Sequence, residues 1–194
     1  HFIYNTLNSV SCMALLHQEN EISQVLGSLT KVIRYNLKKP DAIVHLEEEL
    51  ENIYSWCRIQ ECCYEQSIRF SYDIQVPADQ IKIPKLIIQP LIENAVVHGA
   101  NFAGEDARIC LHIWMEGKCL YIVVWDNGTD VDTDRINRLA CGKGEVCSDS
   151  LGVRNVYERI RLRYGSAGQM RFEQDEEHHT LVQIVIPAEM DQSL

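Results

Sequence analysis

The chain has 194 residues, 46% of them hydrophobic, and a formal net charge of −10. This length and composition fit one buried core with a small appendage, and no apolar run reaches the roughly 18 residues of a membrane-spanning helix. The acidic balance argues against a general nucleic-acid binder, which needs positive charge to neutralise phosphates. Any phosphate that the protein binds must therefore be held by local geometry.

The eight cysteines are scattered along the chain. They form no CxxC pair, and no histidine stands at the spacing of a zinc finger. We therefore predict reduced thiols in a cytosolic protein. Asn127-Gly128-Thr129 matches a glycosylation sequon, and in a cytosolic protein we expect that match to be accidental.

Three helices are predicted first, because apolar residues recur along one helical face of each segment. The three stripes are Ile3, Leu7, Val10 and Ala14; Ile22, Val25, Leu26, Leu29 and Ile33; and Leu46, Leu50, Ile53 and Cys57. Pro40-Asp41 separates the second helix from the third. Residues 1–40 thus form a helical hairpin too thin to bury itself, and we expect it to dimerise into a four-helix bundle.

After the third helix the apolar period changes to that of strands. Strands are predicted near residues 70–74, 109–115, 120–125, 170–172 and 181–186, and helical patterns intervene at 84–98, 132–140 and 152–164. Mostly antiparallel strands with helices gathered on one face form an α+β two-layer sandwich. We predict this class for residues 41–194.

The helical run at 84–98 ends in a polar cluster that includes Glu93, Asn94 and His98. The side-chain oxygen of Asn94 is a suitable ligand for Mg²⁺, a small cation that keeps waters and phosphate oxygens around it. Alternatively, Glu93 and Asn94 only close the C-terminal end of a helix that stops at Gly99.

A predicted strand ends in Asp126-Asn127-Gly128. The carboxylate of Asp126 can accept a hydrogen bond from the exocyclic amine of a base, and this pairing favours ATP over GTP. The same triplet is also a strong hairpin signal, so Asp126 as a simple turn former is the alternative.

The helix predicted at 152–164 begins with a pattern suited to phosphate. Asp149 or Ser150 can serve as N-cap, and the free N–H groups of a helix N-terminus attract anions. Gly152 permits close approach, Lys143 or Arg154 can supply a cation, and the stretch 142–144 is typical of a lid. An ordinary surface loop followed by a capped helix is the alternative.

Five blocks, in this order, resemble the cytoplasmic core of LytS/YehU-type sensor histidine kinases, closest to the YesM branch. The blocks are HFIYNTLNSV, LEEELENIYSWCRIQECCYEQSIRF, ENAVVHG, DNG and LGVRNVYERIRLRYG. Five blocks in one order are far more specific than any one of them. The resemblance implies a GHKL-type (Bergerat) ATP-binding fold, with ATP and Mg²⁺ as ligands.

Site residues follow from this resemblance. It implies that Asn94 binds Mg²⁺, that His98 lies nearer the phosphates, and that Asp126 recognises the adenine amine. Gly128 lets the backbone approach the base, and Glu93 is counted with the catalytic residues. Three positions depart from the family pattern, where glycine is expected: Asp130, Ser150 and His179.

His1 matches the phosphoacceptor of the family in the pattern HFxxNxLN. A neutral imidazole is a workable nucleophile toward the γ-phosphoryl group at neutral pH. Asn5 lies one helical turn on, on the same face, and is expected to orient the ring. Phe2 stands where many histidine kinases place an acid. A lone terminal histidine without this pattern would carry no functional meaning.

The sequence therefore predicts the catalytic core of a two-component sensor kinase, which phosphorylates His1 and passes the phosphoryl group to an aspartate of a response regulator. The resemblance to the YesM branch implies a regulator of the kind typical there, with an AraC-type output. Because the chain begins inside a motif, we expect an excised cytoplasmic fragment of a homodimeric bacterial membrane sensor. Two alternatives stay open: a degenerate signalling module with weak or no ATP binding, and an ATPase or protein-serine kinase of the same superfamily.

Overall fold

The structure is a computed structural model that describes residues 1–37, 39, 42–64, 67–99, 106–128, 132–140 and 151–191. The side chains of residues 98, 99, 135, 139 and 140 are not described. Several residues singled out above lie outside the described residues, namely Pro40, Asp41, Asp130, Gly142, Lys143, Gly144 and Ser150.

The first two helices form the predicted hairpin. Helix α1 (Phe2–Leu16) packs against α2 (Asn20–Asn36), and α2 packs against the third helix, α3 (Leu46–Cys63). Much of the apolar surface of α1 is exposed, including Phe2 and Leu16 at more than 80% each. The described part of the chain thus leaves an apolar face of the hairpin uncovered, and dimerisation through that face stays a prediction.

Five strands form the main sheet. They are β2 (Ile68–Ile74), β4 (Ala107–Glu116), β5 (Cys119–Asp126), β6 (Gln169–Gln174) and β7 (Thr180–Pro187), in the order β2-β4-β5-β7-β6. Only the β2–β4 pair is parallel among these neighbours. The alternating burial along β4 gives the sheet one face for the core, as its sequence period predicts.

Helices α4 (Gln89–Gly99) and α6 (Leu151–Tyr164) pack together and against this sheet, and α5 (Thr133–Ala140) packs against α6 and β6. The buried face of α6 consists of Val153, Val156 and Ile160. The predicted α+β two-layer sandwich is confirmed, with the helices of the hairpin preceding it.

A second, smaller sheet was not predicted. It consists of β1 (Ile43–His45), β3 (Ile81–Pro84) and β8 (Glu189–Met190), with β3 in the middle. Strands of two to four residues are too short to show a period in the sequence, which explains why they were missed. This sheet joins the start of α3 to the segment that leads into α4.

The predicted start of the helix at 84–98 was wrong, because α4 begins only at Gln89. Leu86 has a φ of 59°, in the left-handed region that no helix interior accepts. Pro90, which lacks a backbone donor, then fits the first turn of a helix. The chain therefore turns sharply after β3 before it becomes helical.

The turn before α4 is held by Glu49, a fully buried carboxylate of α3. Its oxygens accept hydrogen bonds from the backbone N–H groups of Leu86 (2.8 Å) and Ile88 (3.2 Å), and from the hydroxyl of Tyr35 on α2. Burial raises the pKa of Glu49, while the bonds from Tyr35 and from the backbone groups of Leu86, Ile88 and Gln89 oppose that rise. Three elements thus meet at one side chain.

Lys85 extends this junction. Its side chain is fully buried, and Nζ lies 4.8 Å from the centroid of the Tyr35 ring. The backbone oxygen of Lys85 accepts a hydrogen bond of 2.6 Å from Arg159 on α6. We refer to Tyr35, Glu49 and the Lys85–Ile88 turn as the Glu49 junction.

We expect Tyr35→Phe to lower the free energy of unfolding by about 1–3 kcal/mol, because it leaves a buried carboxylate without one of its donors. Tyr121→Phe is the matched control, since the Tyr121 hydroxyl makes no hydrogen bond to a described residue and its ring stacks on Trp114. Denaturant unfolding of both variants measures the difference. Equal stability of the two variants would contradict the role assigned to Tyr35.

Candidate functional site

Helix α4 carries the first part of the site. It packs against β4 and β5 and buries Leu91, Ile92, Ala95 and Val96. Asn94 stands half-buried at the edge of this face. Its amide makes no hydrogen bond to any residue that the structure describes, so its oxygen is available to an external ligand.

Glu93 lies beside Asn94 but is already engaged. Gln89, four residues earlier on the same face of the helix, donates from Nε2 to Oε1 of Glu93 at 2.6 Å. Burial raises the pKa of Glu93, and the hydrogen bond from Gln89 opposes that rise. A carboxylate with a raised pKa is better suited to accept a proton near neutral pH.

Asp126, at the end of β5, is 4% exposed. Its Oδ1 accepts a hydrogen bond of 2.9 Å from the backbone N–H of Gly128. Burial raises the pKa of Asp126 to about 7, against the opposing effects of that N–H group and of His179. An ionised Asp126 would have acceptor oxygens for an amine.

Asn127 and Gly128, the described residues that follow Asp126, bond to neighbouring parts of the sheet. Asn127 is buried and joins the end of β5 to β4, accepting from the N–H of Arg108 (2.7 Å) and donating to the oxygen of Asp106 (3.2 Å). Thr180 donates from its N–H to the oxygen of Gly128 at 3.1 Å. The bond from the N–H of Gly128 to Asp126 is the bond of an Asx turn, so the turn interpretation of Asp126 stays open beside the functional one. The buried Asn127 does not offer an accessible sequon.

The structural role of Asn127, which links the end of β5 to β4, was not predicted from the sequence. The available signal was its place directly after a strand, where an amide can satisfy the backbone of a neighbouring strand. Its two hydrogen bonds fix the position of Asp126 and Gly128 relative to β4.

His179, one of the three departures from the family pattern, is held by its own turn. Its Nδ1 lies 3.0 Å from Oδ2 of Asp175, and its ring meets Trp125 edge-on with centroids 5.1 Å apart. Trp125 donates from Nε1 to the same Asp175 oxygen at 3.0 Å, and this bond is the largest cause that lowers the pKa of Asp175 to about 2. The imidazole thus contacts Asp175 within the turn that follows β6.

Helix α6 brings its first turn next to α4. A Cβ built on Gly152 would lie 3.6 Å from Cβ of Pro90, which is ordinary van der Waals contact. Arg154 forms an ion pair with Glu158 at 2.8 Å on the helix surface, and its predicted contact with phosphate stays a prediction. Lys143 lies outside the described residues, and the side chain of His98 is not described.

His1 and Asn5 lie on the hairpin, away from this cluster. Both are exposed, and the N–H of Asn5 donates to the oxygen of His1 at 3.0 Å as part of the first helical turn. Helix α1 packs mainly against α2, whereas Asn94 and Asp126 lie on α4 and β5, which pack on each other. Two of the predicted nucleotide residues, Asn94 and Asp126, thus lie on elements that pack together, whereas the predicted phosphoacceptor lies on a helix that packs mainly elsewhere.

Comparison with known proteins identifies the family. Residues 78–190 match the family described as histidine kinase-, DNA gyrase B- and HSP90-like ATPases, and residues 1–68 match the family described as histidine kinase. The first match covers more than half of the chain. This chain therefore belongs to the family of histidine kinase-, DNA gyrase B- and HSP90-like ATPases.

Curated relatives confirm the resemblance to sensor histidine kinases. The chain is 32% identical over 96% of its length to the sensor histidine kinase YesM of Bacillus subtilis, and 30% identical over 88% of its length to YpdA of Escherichia coli. The sensor protein kinase HptS of Staphylococcus aureus is 26% identical over 96% of the chain. The chain spans about a third of the length of these relatives, 31%, 30% and 36% respectively.

Solved structures agree on the fold. The catalytic domain of the histidine kinase ThkA covers 77% of this chain and 96% of its own length, with a TM-score of 0.58 and 17% identity. The mycobacterial sensor histidine kinase MprB covers 78% of this chain and 99% of its own length, with a TM-score of 0.56 and 15% identity. Within the described ranges, no helix is both long and apolar enough to cross a membrane.

Asp126→Asn tests how far the burial of this carboxylate lowers the free energy of unfolding. The folded protein holds the Asp126 proton up to about pH 7, whereas the unfolded chain loses it near the ordinary value of 3.8. The contribution of Asp126 to the free energy of unfolding therefore falls as the pH rises from about 4 to 7. We expect the variant to gain stability relative to wild type between pH 4 and pH 8, by up to about 4 kcal/mol at about 1.4 kcal/mol per pKa unit.

Asp191→Asn is the control for this experiment. Lys82, and then His45, lower the pKa of Asp191 through their hydrogen bonds, so its contribution to stability is lost as the pH falls and the sign is opposite. Urea unfolding at both pH values measures the differences. A change of the same sign in the two variants would contradict the assignment for Asp126.

Proposed function

We propose that this chain is the catalytic core of a two-component sensor histidine kinase, which uses Mg²⁺ and ATP to phosphorylate His1. The observation that carries the proposal is the pairing of a buried, backbone-held carboxylate, Asp126, with the unengaged amide of Asn94 on the adjoining helix. The similarity to YesM, YpdA and HptS supports the same function.

We assign recognition of the base to Asp126. Adenine offers an exocyclic amine, a donor that matches an ionised carboxylate, whereas guanine offers a carbonyl oxygen at the same ring position. Two acceptors cannot form a hydrogen bond, so GTP would leave the buried carboxylate unsatisfied. Gly128, whose own N–H fixes Asp126, allows the base to come close to the backbone.

We assign phosphate binding to the first turn of α6 and to Asn94. The N–H groups at a helix N-terminus attract phosphate oxygens, and Gly152 has no side chain in their way. The Asn94 oxygen fits the hard-oxygen ligand set of Mg²⁺. When bound, this ion neutralises charge that develops on the phosphates during transfer.

Phosphoryl transfer needs His1 and a base. The unprotonated imidazole nitrogen forms a bond to the γ-phosphorus while the bond to the bridging oxygen breaks, and ADP leaves. Glu93, whose pKa is raised by burial, accepts the proton that the ring then releases. Asn5 orients the ring. Because α1 packs mainly against α2, His1 reaches the site through movement of the hairpin or from the partner subunit.

The remaining parts of the proposal concern the complete protein. The hairpin at 1–40 pairs with that of a second copy, and residues 41–194 form the ATP-binding domain. The phosphoryl group passes to an aspartate of a response regulator, which we propose carries an AraC-type output. The solved complex of ThkA with the response regulator TrrA supports a partner of this kind. We place the chain on the cytoplasmic side of a membrane sensor.

The proposal predicts binding that is selective for ATP. In calorimetric titrations we expect Mg²⁺ and ATP to bind at least about 100-fold more tightly than Mg²⁺ and GTP. The reason is that GTP would leave the buried Asp126 carboxylate without a hydrogen-bond donor. Asp126→Asn should abolish this preference, and Asn94→Ala should weaken the dependence on Mg²⁺. Asp191→Asn removes the same charge at an exposed site and should change neither.

The phosphoacceptor is tested in the full-length protein. We expect an acid-labile, base-stable phosphoryl group on His1 that is absent from His1→Gln. Absence of nucleotide binding up to millimolar concentration would point instead to the degenerate signalling module. ATP hydrolysis without phosphohistidine would point to an ATPase.

A further inference from the structure

Strand β2 lies at one edge of the main sheet, next to β4. The N–H of Ala107 donates to the oxygen of Ser67 at 2.9 Å, and the N–H of Gln75 donates to the oxygen of Ile113 at 2.8 Å. Alternate residues of a strand bond the same neighbour, so the odd-numbered residues of β2 bond β4. The N–H and C=O groups of its even-numbered residues, 68 to 74, therefore point away from the sheet, and no described residue bonds them.

The opposite edge of the same sheet is covered. Strand β6 lies there. Asn137 on α5 donates from Nδ2 to the oxygen of Phe172 and accepts a bond from the N–H of Phe172, both at 2.8 Å. One amide thus bonds both backbone groups where a further strand would otherwise pair. Within the described ranges the β2 edge has no such cover, so it is the edge that is open to another strand.

The helices near β2 leave this edge accessible. Helix α3 packs beside β2, and α2 contacts α3 through bonds such as that from Arg58 to Gln24. A cleft of about 890 Å³ lies between α2, α3 and β2. The rings of Tyr54 and Tyr72 meet in this cleft with centroids 4.6 Å apart, and they are 40% and 38% exposed. Exposed aromatic surface therefore lies beside the open backbone groups.

The sequence of β2 is chemically symmetric about Ser71. It reads IRFSYDI, with an isoleucine at each end, an aromatic residue on each side of the serine, and opposite charges two residues away from it. A second copy that pairs antiparallel about a two-fold axis at Ser71 would set complementary residues opposite each other. These pairs, each formed twice, are Ile68 with Ile74, Arg69 with Asp73, and Phe70 with Tyr72.

The same register matches the open backbone groups. Opposite residues of an antiparallel pair alternate between hydrogen-bonded and non-hydrogen-bonded positions. Phe70 and Tyr72 both face outward and would exchange two backbone bonds. Arg69 and Asp73 would fall at non-hydrogen-bonded positions, where opposite side chains lie closest. A register shifted by one residue would set outward-facing groups against inward-facing ones and lose these bonds.

The two charged side chains are accessible to a second copy. Those of Arg69 and Asp73 are 72% and 54% exposed. Arg69 lies 3.2 Å from Asp106, and Asp73 lies 3.2 Å from His112, but pairs this exposed contribute little to stability. Charges often protect an edge strand from pairing. A guard of a single sign would repel a second copy, whereas these opposite charges attract it at both ends.

We propose that the β2 edge is an interface between two copies of this chain, which join their main sheets through antiparallel β2 strands about a two-fold axis at Ser71. The interface is isologous, since the same strand serves on both sides. Backbone bonds supply the affinity, and the alternating side chains supply the register. The interface lies in the ATP-binding domain rather than in the hairpin, and it does not depend on the proposed kinase activity.

Charge reversal tests the register. In the 194-residue chain, Arg69→Asp sets a second carboxylate against Asp73 of the copy at both ends. We expect self-association to weaken by at least about tenfold in sedimentation equilibrium. The double variant Arg69→Asp with Asp73→Arg restores both pairs in reverse and should recover the association of wild type.

Arg171→Asp is the matched control. It makes the same reversal on β6, the edge that Asn137 covers, and it should leave self-association unchanged. Any pairing through the hairpin is common to all these variants, so the comparison isolates the β2 edge. Unchanged association in Arg69→Asp, or no recovery in the double variant, would overturn the interface.

A cross-link tests the position of the axis. Ser71→Cys places two thiols opposite each other at a non-hydrogen-bonded position, where Cβ atoms lie about 4.5–5.5 Å apart, close to the spacing of a disulfide. With a copper–phenanthroline oxidant we expect a covalent dimer in much higher yield than in wild type, which controls for the exposed thiols of Cys12, Cys62 and Cys63.

A yield no higher than that of wild type would also overturn the interface. None of these measurements uses nucleotide. Absence of phosphohistidine would therefore overturn the kinase proposal alone, whereas association that is insensitive to Arg69 would overturn this inference alone.

Discussion

The buried carboxylate of Glu49 is the interaction on which the arrangement of the other elements depends. An isolated carboxylate in an apolar core is costly unless its oxygens are satisfied. Here the donors come from the hairpin, through Tyr35, and from the turn before α4, through the N–H groups of Leu86 and Ile88. Satisfying one charge therefore fixes the hairpin against α3, and it also fixes the point at which α4 starts.

That starting point determines the geometry of the site. Leu86 adopts a left-handed φ of 59°, a conformation that costs a non-glycine residue about 1–2 kcal/mol and that the bond to Glu49 helps to hold. With the turn fixed, α4 brings Gln89 into hydrogen-bonding contact with Asn52 on α3, and it packs against β5 and α6. The hairpin that carries His1 and the helix that carries Asn94 thus share one anchor.

The long elements could be predicted from the sequence, because amphipathic stripes and alternating strands are local signals. A strand-end aspartate and a polar cluster on a helix are local signals too, and they marked Asp126 and Asn94 as candidates. The start of α4 could not be predicted, since Glu49 lies far from Leu86 in the sequence and overrides the helical pattern. The same holds for the Asn52–Gln89 contact, which only the fold creates. Arg154 had two interpretations in the sequence, a cation for phosphate and a partner for Glu158 at the i, i+4 spacing. The structure shows the ion pair with Glu158.

The central claim is that Asp126 recognises adenine while Asn94 holds Mg²⁺ on the phosphates. A crystal structure of the chain with Mg²⁺ and a non-hydrolysable ATP analogue tests it most directly. We expect the adenine amine within hydrogen-bonding distance of the Asp126 carboxylate, and the Asn94 oxygen in the coordination sphere of the ion, with the phosphates at the first turn of α6. A nucleotide bound with its base away from Asp126, or an ion that Asn94 does not touch, would contradict it.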